Sequence, residues 1–257
     1  PEEIVECEQW PYIDFSVYFR SLKKAQVLKK KMRALRLRGI PTRLKILHKN
    51  DWQTKWQEDF KPFCLTRRFS VIPVRFKGKR RFPGRISLFL DTELAFGSGL
   101  HATTRFMAGF AERCAGRYRS FLDIGTGTGI LAMIAFKCGA QDVAAIDLCR
   151  DAVGVAKKNF IRNKCSSIDI RVADANKYRT SKKYDFVAAN LITQDLLGLG
   201  KKIVQLVRPG KFLAVSGISY NSYDRFRQDF AKYPLRCLKI EKSEGWAALL
   251  YKKIGSR

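Results

Sequence analysis

The stretch Phe121-Leu-Asp-Ile-Gly-Thr-Gly-Thr-Gly-Ile-Leu131 constrains the fold of this chain more than any other. Its apolar start predicts a buried strand, and its three glycines predict a tight loop that opens a helix from Ile130 towards Lys137. Because glycine has no Cβ, the backbone can turn sharply there and approach a ligand closely. The helix that follows presents its N–H groups and positive dipole end to that ligand. This unit therefore predicts a cofactor-binding loop.

The spacing of the glycines narrows the class of cofactor. A dinucleotide fingerprint has the pattern G-x-G-x-x-G. In this chain the third glycine, Gly129, comes one residue early, and Ile130 takes the sixth place. The shift argues against a pyrophosphate ligand and favours a smaller cofactor, of which S-adenosylmethionine (SAM) is the leading candidate.

From Ser120 onwards, strand-like and helix-like patterns alternate regularly. Such alternation predicts an α/β fold with a doubly wound, mostly parallel sheet. The last two strands have no helix between them, so they are expected to form an antiparallel hairpin at one edge. The predicted strands are 120–124, 142–146, 168–172, 184–190, 211–216, 235–240 and 246–251, and the predicted helices are 129–138, 151–163, 195–207 and 220–231.

The first fifty residues predict a small separate α/β domain. Residues 12–19 alternate in polarity as a half-buried strand does, a helix follows from Ser21, and a second strand covers 44–47. This unit, 1–50, is too small to be secure alone. We therefore expect it to lean on a neighbour or on its binding partner.

A linker is predicted over 51–90, ahead of the main domain at 91–257. It begins with an aromatic stripe at Trp52, Trp56 and Phe60, which either packs against a core or forms the arm between two domains. Two strands follow, at 69–74 and 86–90. The cationic segment 77–84 between them resembles an exposed hairpin tip, either an ordinary solvated turn or an RNA contact.

The net charge of +27 is the most unusual feature of the composition. Between Phe15 and Asn50 there are 12 Lys or Arg residues and no acidic residue. This pattern indicates attraction to RNA or to a ribosomal surface, or a host whose proteins are basic throughout. Charge alone identifies no partner.

The remaining composition excludes some classes of protein. The seven cysteines are scattered without a C-x-x-C pair, which favours reduced thiols in a cytosolic protein over a disulfide framework or a zinc site. No apolar run reaches the roughly 18 residues of a membrane span.

The ends of the predicted parallel strands carry the candidate ligands, because ligands of such sheets bind there. Asp147 ends the second strand and is placed to accept hydrogen bonds from ribose hydroxyls, or else to cap the next helix. Asp174 follows the third strand and either accepts from an adenine amino group or closes a turn. Asn190 ends the fourth, where its amide would hold the methionine part, receive an incoming amine, or simply close the strand.

A second glycine loop precedes the main domain, within Leu94-Ala-Phe-Gly-Ser-Gly-Leu-His-Ala-Thr-Thr-Arg105. Thr103 or Thr104 is expected to cap the helix that follows. A lone histidine such as His101 is more often structural than catalytic.

These two loops together resemble one family, the PrmA methyltransferases of ribosomal protein L11. The resemblance is carried by LAFGSGLHATTR at 94–105, LDIGTGTGILA at 122–132, AAID at 144–147 and AANL at 188–191, and it extends to segments at 51–62 and 244–251. It implies a SAM-dependent class I fold with an N-terminal domain that docks on the substrate protein. The implied cofactor-binding residues are Phe96, Thr104, Gly125, Gly127, Asp147 and Asn190; no catalytic residue and no metal ligand is implied.

The expected activity is therefore SAM-dependent methylation of lysine or amino groups on ribosomal protein L11. Contacts from the basic N-terminal region to ribosomal RNA are expected as well. Two alternatives stay open. The same core could methylate another protein lysine or RNA, although Leu191-Ile192 after Asn190 weighs against base methylation. The chain could also be a basic ribosome-binding protein that keeps the fold only as a scaffold.

Overall fold

The computed structural model describes residues 60–91 and 97–255, together with helical residues at 26–28 and 30 inside the helix expected from Ser21. The chain divides into two compact units, Pro1–Trp56 and Gln57–Arg257. The strands expected at 12–19 and 44–47 and most of the aromatic stripe at 52–60 lie outside the described residues. The domain boundaries expected at 50 and 90 stay predictions.

The main sheet consists of seven strands: β4 (Ser120–Ile124), β5 (Asp142–Asp147), β6 (Asp169–Val172), β7 (Tyr184–Asn190), β8 (Val207–Ser219), β9 (Leu235–Ser243) and β10 (Trp246–Lys253). Their order across the sheet is β6-β5-β4-β7-β8-β10-β9. The first five in this order run parallel to one another, and β10 is antiparallel to both β8 and β9. The expected doubly wound sheet with a C-terminal antiparallel hairpin is thereby confirmed.

Helices cover both faces of this sheet, which is why its central strands β4 and β7 are buried at nearly every position. Along β7, Phe186 and Ala188 join one apolar core, whereas Val187 and Ala189 join the other. The helices are α1 (Ala102–Arg113), α2 (Ile130–Lys137) and α3 (Arg150–Arg162), which pack into the first core, and α4 (Thr193–Leu206) and α5 (Tyr220–Phe230), which pack into the second. No helix of the described residues is long and apolar enough to cross a membrane.

A second, three-stranded sheet precedes α1 and consists of β1 (Phe63–Cys64), β2 (Phe69–Pro73) and β3 (Ile86–Leu90). Strands β2 and β3 pair in parallel, so the hairpin expected between them is wrong. The connection 74–85 is long enough for the crossover that parallel strands require, and it begins with a 3-10 turn at Val74–Phe76. The cationic residues 77–81 are exposed, as expected. Apolar side chains of this sheet share the first core with α1 and α2.

Two asparagines hold the outer edge of β3: Asn159 of α3, and Asn163, the C-cap residue directly after α3. Asn163 accepts a hydrogen bond from the Phe89 N–H at 2.8 Å and donates to the Phe89 carbonyl at 2.8 Å. Asn159 binds the N–H and the carbonyl of Asp91 in the same way, both at 2.9 Å. Four residues of helix rise about 6 Å and two residues of strand about 6.6 Å, so the two spacings match. The two amides therefore replace a neighbouring strand.

Asn163→Ala is expected to lower the free energy of unfolding by about 1–3 kcal/mol, because two backbone groups of Phe89 lose their partners. Urea denaturation followed by circular dichroism measures the change. Asn176→Ala is the matched control, since this side chain is exposed. Equal midpoints for the two variants would show that water replaces the amide at no cost.

Candidate active site

The carboxyl ends of β4, β5 and β7 meet at one edge of the main sheet and bring three predicted site elements together. The glycine loop follows β4, Asp147 ends β5 and Asn190 ends β7. The Gly127 N–H donates to Asp147 Oδ2 at 2.9 Å. The N–H groups of Gly125 and Thr126 both donate to the Ile146 carbonyl, at 2.9 and 3.1 Å. The glycine loop is therefore fastened to the end of β5.

Asp147 also fixes the chain that leads into α3. Its Oδ1 accepts from the Cys149 N–H at 2.9 Å. The N-cap position of α3 is Cys149, which makes no side-chain cap bond. The Asp147 carboxylate thus bonds the residue that precedes α3 rather than capping the helix itself. Its two oxygens face the glycine loop and the segment leading into α3, which are the two segments that a nucleoside at this edge would approach.

Each glycine of the loop adopts a backbone conformation with positive φ: 72° at Gly125, 54° at Gly127 and 83° at Gly129. L-residues other than glycine rarely adopt such angles. At Gly129 space is short as well, because a Cβ atom would lie 2.4 Å from Cε1 of Phe160 on α3. Glycine is therefore required at position 129 both by backbone angle and by packing.

The first loop is joined to the glycine loop by Thr128, whose hydroxyl donates to the Gly97 carbonyl at 2.6 Å. The carbonyl of Thr128 in turn accepts from Asn159 Nδ2 at 3.0 Å. Phe96, a residue implied by the family resemblance, lies outside the described residues. The two loops nevertheless meet within the part of the chain that the structure describes.

The helix cap expected at Thr103 or Thr104 is wrong. His101 occupies the N-cap position of α1, and its Nδ1 accepts from the Thr103 N–H. Both threonines lie inside the helix instead, and both are buried. A histidine was not expected as a cap because Ser, Thr, Asp and Asn are the usual ones.

A chain of contacts runs along the other side of the site. Asn190 Nδ2 donates to the Thr103 hydroxyl at 3.3 Å, and this hydroxyl lies 2.8 Å from His101 Nδ1. The His101 ring packs edge-to-face on Trp246, with ring centroids 5.2 Å apart. Trp246 was expected only as the first residue of a strand. The only hint of its role in the sequence is the turn Glu244-Gly245 directly before it. In the structure Glu244 pairs with Arg105 of α1.

Asp123 is a buried carboxyl group beneath the glycine loop that sequence reasoning did not select. Its Oδ2 accepts from the Thr126 hydroxyl at 2.7 Å and from the Ala132 N–H at 3.3 Å. Burial raises the pKa of Asp123 to about 7, against the lowering effect of these two hydrogen bonds. The sequence feature that could have identified this residue is an acid within the otherwise apolar Phe121–Ile124.

Two buried side-chain polar atoms of the described residues lack a hydrogen-bond partner: Asp123 Oδ1 and Thr104 Oγ1. Native proteins leave few such atoms, and each calls for an explanation. Asp123 lies at the start of the glycine loop, and Thr104 lies beside the Thr103 that contacts Asn190. Both flank the same edge of the sheet, which is the pattern expected where a polar ligand binds.

The strand order, the glycine loop after β4, the acid that ends β5 and the amide that ends β7 define a class I SAM-dependent methyltransferase fold. An N-methyltransferase from Bradyrhizobium japonicum, solved in complex with S-adenosyl-L-homocysteine (SAH), shares this fold with a TM-score of 0.52 and 14% identity, covering 65% of this chain and 94% of that one. The chain belongs to the family described as ribosomal protein L11 methyltransferase (PrmA), which it matches over residues 2–254.

Individual relatives agree with this assignment. Ribosomal protein L11 methyltransferase of Geobacter metallireducens is 32% identical over 213 residues, which cover 82% of this chain and 69% of that protein. The Staphylococcus aureus protein of the same name is 27% identical over 211 residues, 82% and 67% of the two lengths. The crystal structure of the L11 methylase from Lactobacillus delbrueckii superposes with a TM-score of 0.70 at 25% identity, covering 76% of this chain and all of that one.

Gly129→Ala is expected to destabilise the protein by more than Gly139→Ala, because only the first adds a clash. Both positions have positive φ, 83° and 96°, which costs a non-glycine residue about 1–2 kcal/mol. At Gly139 a Cβ would meet nothing within 4 Å, whereas at Gly129 Phe160 must move, at a further cost of about 1–3 kcal/mol. Urea midpoints give the comparison. Equal losses would mean that the loop relaxes without strain.

The stability of the protein is expected to fall as pH rises from about 4 to 7, and part of that fall is expected to vanish in Asp123→Asn. The pKa of Asp123 is about 7 when folded, against an unperturbed 3.8. The folded state therefore holds the proton more tightly, and its advantage is complete below the unfolded pKa and lost as pH passes the folded one. Urea denaturation at pH 5 and pH 8 gives the change in the free energy of unfolding with pH, which is the slope, for the unaltered chain and for Asp123→Asn. Identical slopes would contradict the burial of an ionisable group here.

Proposed function

We propose that this chain transfers methyl groups from SAM to lysine or amino groups of ribosomal protein L11. The observation that carries the proposal is the convergence of the glycine loop, Asp147 and Asn190 at one sheet edge, in a chain whose family match covers nearly its whole length. Its named relatives are L11 methyltransferases. The alternative activities gain no support from these comparisons.

The residues at this edge suit SAM by their chemistry. The backbone at Gly125 and Gly127 can approach the methionine part closely, and Asp147 can accept hydrogen bonds from the ribose hydroxyls. Thr104 Oγ1 and Asp123 Oδ1 are buried polar atoms that a polar ligand would satisfy. Phe96 and Asn190 complete the proposed set. Bound SAM supplies an electrophilic methyl group on its sulfonium.

The protein's contribution to transfer is to position a neutral amine. Asn190 directs its Nδ2 towards Thr103, which leaves the amide oxygen to accept from an incoming N–H. His101 holds the Thr103 hydroxyl and so fixes this orientation. A free lysine has a pKa of about 10.4 and is mostly protonated near neutral pH. Desolvation and the +27 charge of the chain both favour loss of its proton.

We further propose that residues 1–50 recognise the substrate protein and that their basic segment contacts ribosomal RNA. The support is compositional: Phe15 to Asn50 carries 12 cationic residues and no acid. A segment of this charge gains affinity for phosphates by releasing counterions. Because L11 is a ribosomal protein, such contacts would hold the enzyme near its substrate.

Incubation with tritiated SAM and purified L11 tests the proposed reaction. We expect label in L11 from the unaltered chain. Asn190→Ala should bind SAH more weakly but still measurably, and at saturating SAM it should transfer the methyl group about 100-fold more slowly, because the amine loses its acceptor. Asp147→Asn should instead weaken SAH binding about 10- to 100-fold, since a charged hydrogen-bond acceptor is lost. Titration calorimetry measures the binding.

Gln205→Ala is the control for both variants, since Gln205 is exposed and lies near the end of α4, beside the amino ends of β7 and β8 and so at the opposite edge of the sheet. Absence of label in L11 from the unaltered chain, with SAH bound, would refute the substrate. Unchanged transfer by Asn190→Ala would refute the placement of the amine.

A further inference from the structure

Three large apolar side chains are exposed next to the Asn190–Trp246 side of the site. Leu100 is 43% exposed, Ile192 59% and Tyr220 46%. Most large apolar side chains of the described residues are buried in the two cores. Scattered exposed apolar residues need no explanation, but a group of them at one place marks an interaction surface.

Each of the three adjoins the chain of contacts that forms that side of the site. Leu100 precedes His101, whose ring packs on Trp246. Ile192 lies two residues beyond Asn190, on a segment whose Leu191 N–H donates to the Ser216 carbonyl at 3.0 Å. Tyr220 follows Ser219, the partner of Trp246 in the β8–β10 pairing, and its own N–H donates to the Gly245 carbonyl.

Further contacts tie these three segments to one another. Arg105 bonds both the Leu100 carbonyl and Glu244, which precedes Gly245. The Thr193 hydroxyl donates to the Gly217 carbonyl at 3.4 Å, and a Cβ at Gly217 would lie 2.1 Å from the Leu191 carbonyl oxygen. The segments of Leu100, Ile192 and Tyr220 are therefore linked as neighbours beside the site, and we name these three residues the apolar rim.

We propose that the apolar rim docks the segment of the protein substrate that carries the acceptor amine, through apolar side chains next to that amine. The inference rests on the proposed function, because it gives a surface to the substrate of that same site. The rim is continuous with Asn190, where the amine is expected. A segment that lays apolar side chains on the rim would point its amine inwards.

The size and charge of the rim favour such a segment over a second copy of the chain. A stable protein–protein interface buries roughly 800 Å² per partner, far more than three half-exposed side chains provide. Two cationic side chains beside the rim are already engaged: Arg105 pairs with Glu244, and Lys242 lies over the rings of Tyr220 and Tyr223. The side chains that define the rim are themselves apolar, so it offers burial of apolar surface to a partner.

The test compares Ile192→Ser/Tyr220→Ser with Leu238→Ser/Ile240→Ser in methylation of L11. The control pair removes two side chains of similar kind, 40% and 38% exposed, from β9 at the far edge of the sheet. We expect the rim variant to raise KM for L11 about five- to tenfold, as loss of partly buried apolar contacts does. Its kcat and its SAH affinity should stay within about twofold.

Ile192→Ala, a milder change, serves if the double variant unfolds, with a rise in KM of about two- to fivefold. An unchanged KM, or an equal rise in the control pair, would overturn docking at the rim while leaving the proposed function intact. If the unaltered chain does not methylate L11 at all, the proposed function is refuted and the docking with it. Dimers that dissociate only in the rim variant would assign the surface to a second copy instead.

Discussion

The amide of Asn159 is the single group on which the geometry of the site depends most. This fully buried side chain binds the N–H and carbonyl of Asp91, just before the first loop, and also the carbonyl of Thr128 in the glycine loop. It therefore joins the small sheet, α3 and the cofactor loop at one point. A buried amide with every bond made is rigid, because any displacement would leave several polar groups unpaired.

This junction explains how two loops far apart in sequence form one site. The Thr128 hydroxyl in turn donates a hydrogen bond to the Gly97 carbonyl in the first loop. Thr104 and His101 follow a few residues later on α1, so the start of that helix is held in register with the glycine loop. The small sheet is thus part of the support of the site, although its residues carry none of the proposed ligands.

Sequence patterns predicted the main sheet closely because its signals are local. Strands β4 and β7 have the expected bounds, and the glycines at 125, 127 and 129 form the expected sharp turn, each with positive φ. The failures involve long-range partners. Strand β3 is bonded along its outer edge by Asn163, which lies far along the chain, and His101, the cap of α1, packs against the equally distant Trp246. Neither partner is visible in the local pattern.

Two buried carboxylates on adjacent strands differ in how they are held at the two ends of the sheet. Asp185, near the start of β7, is buried, and burial alone would raise its pKa. Hydrogen bonds from the Arg119 N–H and the Arg208 side chain, with Lys211 nearby, outweigh that effect and lower the pKa instead. Asp123, near the end of β4, has a raised pKa and one oxygen without a partner among the described residues.

The difference between these two carboxylates is not caused by a shortage of cationic partners, because the chain has far more Lys and Arg than Asp and Glu. Asp185, at the amino ends of the strands, has partners for its buried carboxylate. Asp123, at the carboxyl ends, has partners for Oδ2 but none for Oδ1 among the described residues. An unsatisfied buried acceptor costs about 1–3 kcal/mol, and such a cost persists where binding a ligand removes it. In the proposed site, a polar ligand that bonds to Asp123 Oδ1 would recover this free energy on binding.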